Sequence, residues 1–312
     1  MEGKNKSKLA RFVLVFLLIG TTAYAGSVLS EYVPIRSNGG DPNQKSETAL
    51  DAKVERALVL KEKGGSSDLR EAYRLFKEAA NEGSLEAQNE LGVMYLNGVF
   101  VKKDLIKAAY WFEKAANQGY ACAQYNMGVA KDTGDGGGRN LQEARNWFLL
   151  AAKNGHVDGV FNAGVFLLDG RGGEKNVSLA ASLFQQAADQ GHAGAMNNLG
   201  HLVLRGIGVE RNPKMAELLF KKSIEKGNLI SYVNLGRMYR DGDGVEMDES
   251  KAVQLFLVAA KAGVSSAQYE MAYAYAKGAG VPKEYDSALY WMRESARNGN
   301  PEALEAIKML EN

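Results

Sequence analysis

One interval governs this chain. Glycine recurs at Gly83, Gly119, Gly155, Gly191, Gly227, Gly263 and Gly299, each 36 residues after the last, without insertion or deletion. Alanine keeps the same interval at Ala72, Ala108, Ala144, Ala180, Ala216, Ala252 and Ala288. A bulky column reads Phe76, Phe112, Phe148, Phe184, Phe220, Phe256 and Met292, and a fourth reads Gly92, Gly128, Gly164, Gly200, Gly236 and Ala272. Gly98, Gly134, Gly170, Gly206, Gly242 and Gly278 complete the pattern. A strict period of this length restricts the chain to a repeat architecture, in which each unit buries its open face only against its neighbours.

Within a unit the spacing is helical. Ala108, Trp111, Phe112, Ala115 and Ala116 form one apolar stripe, and Gly119 ends it. The stretch Glu86 to Asn97 reads as the other helix, with Gly92 in its middle. Glycine there costs about 1 kcal/mol relative to alanine, so its recurrence implies a helix contact too close for a side chain. Gly200→Leu is therefore expected to be severely destabilising, and Gly208→Ala, in a loop, to be tolerated. The expected fold class is all-α, a right-handed α-solenoid of stacked antiparallel helix hairpins. Composition agrees with a packed chain, at 46% hydrophobic and 24% charged over 312 residues. The 35 glycines against 5 prolines fit recurring turns rather than low-complexity sequence.

The first 25 residues read as a secretory signal. Lys4, Lys6, Lys8 and Arg11 precede an apolar run from Phe12 to Ile19, and Ala23-Tyr24-Ala25 supplies a small-x-small cleavage site. The mature chain is expected to begin near Gly26 and to be exported, periplasmic or secreted. The alternative is an uncleaved anchor facing outward, because extending the run to Leu29 gives about 18 residues, marginal for a span. Residues 26–47, with Pro34 and Ser37-Asn38-Gly39-Gly40-Asp41-Pro42, read as a flexible linker. The single cysteine, Cys122, excludes an intramolecular disulfide. A formal net charge of +1 provides no field for nucleic acid or an anionic membrane, so neither is an expected partner.

The pattern A-x-A-x-x-x-L-G-x-x-Y-x-x-G, then a glycine-bearing loop, then A-x-x-W-F-x-x-A-A-x-x-G, resembles Sel1-like repeats, relatives of tetratricopeptide repeats. Ala87, Leu91-Gly92, Tyr95, Gly98, Ala108, Trp111-Phe112, Ala115-Ala116 and Gly119 carry the match. Six units span 84–299. Residues 48–83 form a degenerate first repeat that lacks the Leu-Gly pair, and residues 300–312 a C-terminal capping helix. Ser223-Ile224 departs from the Ala-Ala pair, and Arg139, Asn140 and Asp169 accompany irregular glycine loops.

The resemblance implies a scaffold, adaptor or regulator that binds a partner protein or peptide, with the Leu-Gly helix lining a concave groove. Carried onto this chain, one groove column is Asn89, Tyr125, Phe161, Asn197, Val233 and Tyr269, and the next is Val93, Val129, Val165, His201, Arg237 and Tyr273. Leu204, Arg205, Arg240, Asp241 and Lys277 close the helix ends. The second column changes from valine to His201, Arg237 and Tyr273, a basic and aromatic set suited to an acidic or carboxylate-bearing peptide. The plainer reading is charge paired within the solenoid, as Arg240 with Asp241 or Asp243.

No constellation for catalysis, metal or cofactor is read. His156 and His192 open successive helices as single residues, without the close spacing of a ligand pair. Asp241-Gly-Asp243-Gly-Val-Glu246-Met-Asp248-Glu249 suggests a calcium loop, but its glycine falls too early and Val245 replaces a ligand. Gly134-Asp-Gly-Gly-Gly138 has no preceding strand and no following Lys-Ser or Lys-Thr, so it reads as a turn rather than a phosphate cradle. Asn126, Asn162, Asn198 and Asn234 recur once per unit and read as structural. A cell-wall hydrolase is the alternative function; its cysteine-rich relatives carry paired cysteines that are absent here.

Overall fold

The computed structural model describes residues 49–311, and the signal and linker readings lie outside those residues. Fifteen helices and no strand occur among the described residues, which divide at Gly191 into two compact units. The first unit holds α1 (Ala49–Lys63), α2 (Ser66–Asn81), α3 (Leu85–Asn97), α4 (Leu105–Ala116), α5 (Ala121–Thr133), α6 (Leu141–Lys153), α7 (Val157–Asp169) and α8 (Val177–Asp189). The second holds α9 (Ala193–Arg205), α10 (Pro213–Glu225), α11 (Leu229–Asp241), α12 (Glu249–Lys261), α13 (Ser265–Lys277), α14 (Tyr285–Arg297) and α15 (Pro301–Glu311). Within each unit every helix packs on its chain neighbours, α1 on α2 and α3 on α4 as hairpins, α2 on α3 as the joint between them.

The glycine columns do two different jobs. Gly98 and its five equivalents sit at the ends of the Leu-Gly helices in the left-handed region, each amide donating to the carbonyl four residues back. Gly92 and its equivalents instead admit an aromatic ring. A Cβ at Gly92, Gly128, Gly164, Gly200 or Gly236 would lie 2.5–2.8 Å from a ring carbon of Phe112, Phe148, Phe184, Phe220 or Phe256 respectively. These five rings are almost wholly buried. In the last unit the glycine becomes Ala272 and the ring becomes Met292, both fully buried in one cluster. The pair changes together because an unbranched thioether can yield to a methyl group where a ring cannot.

Many helix starts are capped by side chains. Ser84, Asp104, Asn140, Asn176, Asn212, Asn228 and Asp248 each accept a backbone N–H from the first turn, and Pro213 occupies the first turn of α10. Gly208 corrects a sequence expectation. Its φ of 71° lies in the left-handed region, so alanine there is strained, contrary to the tolerance expected of a loop glycine. At the equivalent Gly136, Gly172 and Gly280 an added Cβ would lie 2.1–2.3 Å from a backbone carbonyl oxygen of the preceding hairpin.

Candidate partner-binding surface

Leu91-Gly92 and its equivalents face inward on α3, α5, α7, α9, α11 and α13, and this fixes what the neighbouring positions can do. The first groove column is mostly interior. Phe161 is 5% exposed with its ring 5.8 Å from that of Phe184, and Asn197 and Val233 are 4% and 1% exposed. Asn89 is also buried. Tyr125 is half-buried and stacks on the His156 ring at 4.6 Å, and half-buried Tyr269 packs on the Ala272–Met292 cluster. The expectation that Phe161 and Asn197 line an open groove is corrected: the two side chains fill the space between adjacent helices.

Asn197 also shows what the asparagines do. Asn234 Nδ2 donates to Asn197 Oδ1 at 2.8 Å, and Asn126 Nδ2 donates to Asn89 Oδ1 at 2.9 Å, the same bond between successive repeats in each unit. The Ser231 hydroxyl lies 2.9 Å from Asn197 Oδ1 and 2.7 Å from Ser223 Oγ, and Ser223 donates to the Ala193 carbonyl at 2.7 Å. This buried polar chain accounts for Ser223 in place of alanine, because a second departure, Ser231, supplies its partner.

The second column stays at the surface. Val93, Val129 and Val165 in the first unit, and His201, Arg237 and Tyr273 in the second, are all half-exposed. In the second unit a shallow recess brings together His201, Arg205, Arg237, Asn234, Asp241 and Asp243. Its free space is about 10 Å³, room for no more than one water. The arrangement is a contact surface rather than a ligand cavity.

Its charges are matched from within. Glu270, 5% exposed, receives Arg237 Nε at 2.5 Å and Arg240 through its Nη1. Arg240 also makes two bonds to Asp241, at 2.7 and 2.9 Å, and its guanidinium lies 5.8 Å from the Tyr273 ring centre. Asp243 pairs with Arg211 and lies 3.9 Å from Arg205. Burial, followed by the charges of Arg205 and Arg237, holds the His201 imidazole below its ordinary pKa. Burial and the Glu270 carboxylate push the Tyr269 phenol up, so it remains a neutral donor. Glu270 is the functional-surface residue that sequence reasoning missed. The available signal was the asparagine column, whose flanking members are Glu90 and Glu270, each paired with cations: Lys61 for the first, Arg237 and Arg240 for the second.

The remaining singled-out groups have structural partners. Nδ1 of His156 and of His192 accepts the N–H of Gly159 and of Ala195, so both cap their helices. Asp248 caps α12 through the Lys251 N–H while Asp241 and Asp243 face arginines, so the acidic run does not converge. Among the described residues no group of three or more His, Cys, Asp or Glu side chains is placed to hold a metal. No described helix is long and apolar enough to cross a membrane. Cys122 is half-buried on α5. The glycine-rich loop 134–138 is followed by Arg139, whose Nε donates to the Asp132 carbonyl at 2.8 Å.

The Sel1 repeat model matches residues 58–84, 85–120, 123–156, 157–192, 193–228, 229–264 and 265–300. The chain belongs to the Sel1 repeat family. Among solved structures, this Sel1 repeat chain is similar to a protective antigen present in uropathogenic Escherichia coli strains and displaying an SLR fold. The two share 32% identity at a TM-score of 0.69, over 81% of this chain and 55% of the antigen. A Sel1 repeat protein from Oxalobacter formigenes is 27% identical with a TM-score of 0.70, over 77% of this chain and 96% of that one. This chain thus spans little more than half the antigen's length. No curated protein matches it. Sel1 repeat proteins generally act as protein-interaction scaffolds, and an all-helical scaffold of this type is typically non-catalytic.

Proposed function

We propose that this Sel1 repeat protein is an exported scaffold or adaptor that binds a partner protein or peptide on the face of its Leu-Gly helices, with His201, Arg205, Arg237, Arg240 and Tyr273 as the principal contacts of the second unit, Tyr269 at their margin, and Tyr125 as a separate contact of the first unit. The observation that carries this reading is the second column: this position is half-exposed on every Leu-Gly helix, and in the second unit both flanking residues of His201, Arg237 and Tyr273 are buried. In the second unit that position holds His201, Arg237 and Tyr273, types that concentrate binding energy at interfaces. Export rests on the Lys/Arg-rich start, the apolar run and Ala23-Tyr24-Ala25.

Arg237 is a poor choice for a binding test, because its loss strips a partner from buried Glu270 and mixes folding with recognition. His201→Ala with Tyr273→Ala in the whole chain avoids this. A photo-crosslinking side chain at position 273 is expected to trap one discrete partner, and one at exposed position 290 on α14 to trap none. The double alanine variant should then weaken that partner by about 2–4 kcal/mol while staying folded, with a modest fall in melting temperature from the lost packing of Tyr273 on the Ala272–Met292 cluster. Equal crosslinking from both positions, or unaltered affinity in the folded variant, refutes the surface. An intact mass retaining Met1 refutes cleavage near Gly26.

A further inference from the structure

A chain of near-identical repeats contains its own control. Departures from a column at exposed positions stand out against that control, and three fall together between the end of α3 and the first turn of α4. At position 100 the other repeats place Gly136, Gly172, Gly208, Gly244 and Gly280, all at φ between 69° and 79°. Phe100 takes the same conformation at φ 63°, the one positive-φ residue other than glycine among the described residues; its ring lies 5.6 Å from that of Tyr73 and it stays 43% exposed. That backbone region is unfavourable for a bulky side chain. At position 106 the others carry Gln142, Ser178, Lys214, Ser250 and Asp286, whereas Ile106 is apolar and 74% exposed. At position 102 the others carry glycine, proline or, three times, glutamate; here it is Lys102.

Ile106 and Lys102 border an open recess of about 740 Å³, closed on its far side by Gly136 and Gly137 of the next loop. Tyr95, Val101, Lys103 and Lys107 complete its wall. The one acid there, Asp104, is already engaged: it accepts the Lys107 N–H at 3.0 Å as the cap of α4, and its other oxygen meets Lys107 Nζ at 3.0 Å. Lys102 and Lys103 are exposed and make no ion pair within the described residues. A Cβ on Gly137 would meet nothing within 4 Å, so the backbone on that side is open to approach.

We propose that this recess docks an acidic segment of a partner protein, an apolar anchor of the segment resting on Ile106 and Val101 and its flanking carboxylates pairing with Lys102 and Lys103. Charge complementarity selects the occupant: three lysines face a single aspartate whose oxygens are taken. A concave wall with bare glycine backbone suits an extended peptide with one inserted side chain better than a flat surface. The site lies in the first unit and stands independently of the His201–Tyr273 surface in the second.

The test uses the whole chain and a displayed library of random dodecapeptides. Its control is the triple variant Phe100→Gly, Lys102→Glu, Ile106→Ser, whose residues the chain itself carries at equivalent positions in other repeats. An unchanged or raised urea midpoint is therefore expected of that variant. Selection on the natural sequence is expected to enrich peptides with Asp or Glu flanking Leu, Phe or Trp. A synthetic peptide so selected should bind the triple variant at least tenfold more weakly, and His201→Ala/Tyr273→Ala with undiminished affinity. Enrichment without acidic bias, equal binding to the triple variant, or loss only in the His201/Tyr273 variant overturns the proposal. So does association that needs Lys102 and Ile106 but selects no acidic peptide: with phosphatidylglycerol vesicles it assigns the patch to a membrane surface, and as concentration-dependent dimerisation to a second copy of the chain.

Discussion

The pairing of a mid-helix glycine with an aromatic ring makes a quantitative prediction, because the chain supplies both the problem and its solution. At Gly236 an added Cβ would sit 2.5, 2.8 and 3.1 Å from Cε1, Cδ1 and Cζ of Phe256, a ring that is 1% exposed and has no room to retreat. Overpacking of this kind costs about 1–3 kcal/mol, offset by about 1 kcal/mol from the better helix propensity of alanine. The 2.5 Å approach puts this contact in the upper part of that range, about 2–3 kcal/mol, so Gly236→Ala should destabilise by about 1–2 kcal/mol net. Phe256→Met alone leaves unfilled space opposite a glycine and should cost a similar amount, well below the 3–5 kcal/mol of a ring-to-alanine change. The double variant recreates Ala272 facing Met292, which the last unit packs without exposure. Its cost should fall at least 1 kcal/mol short of the sum of the two single changes, an interaction within the range seen for contacting residues. Urea denaturation followed by circular dichroism, compared at constant slope, reads all four corners of the cycle. Additive costs, or a Gly236→Ala variant as stable as the natural chain, would show that the glycine column is not set by the ring.

Two further outcomes follow from the titratable and charged groups. Burial lowers the pKa of both His156 and His201 in the folded chain, so below about pH 6.5 the unfolded chain takes up protons that the folded one resists; stability should be level above neutrality, fall as pH drops below about 6.5, and fall less steeply in His156→Asn, which keeps a capping oxygen. Glu270→Gln should destabilise by about 1–3 kcal/mol, since two arginines only 24–25% exposed lose their shared carboxylate; an unchanged melting temperature would mean that the pair contributes only geometry.

The fold was legible because its determinants lie at fixed offsets along the sequence. Gly92 and Phe112 are separated by 20 positions in every unit, so two columns suffice to announce a helix contact without knowledge of the backbone. Helix ends were legible for the same reason, a glycine in the left-handed region being required at each Leu-Gly helix terminus. What misled was treating every loop glycine as slack. Gly208 and Gly200 look equally bare in the sequence, yet one is held by its dihedral angle and the other by a ring.

The surface was less legible, and Glu270 explains why. Columns compare a residue with its equivalents, at offsets of 36, whereas contacts between repeats join residues that are not equivalent: Arg237 meets Glu270 at an offset of 33, Arg240 meets it at 30, and Asn234 meets Asn197 at 37. A column therefore reveals that a position is special without revealing what it touches. Arg237 and Tyr273 read as a free basic and aromatic patch because the acid that neutralises the arginine sits in a different column, one that holds neutral asparagine in its four middle units and acid only at Glu90 and Glu270. The departures at Lys102 and Ile106 gain their weight in the same way, whereas Phe100 meets the Tyr73 ring. Offsets of 30 to 37 from Lys102 span residues 132 to 139; Asp132 there is taken by Arg139 and Arg171, and neither it nor Asp135 forms an ion pair with Lys102 among the described residues. A charge that neither its column nor its cross-repeat neighbours explain is the kind of residue a repeat protein keeps for something outside itself.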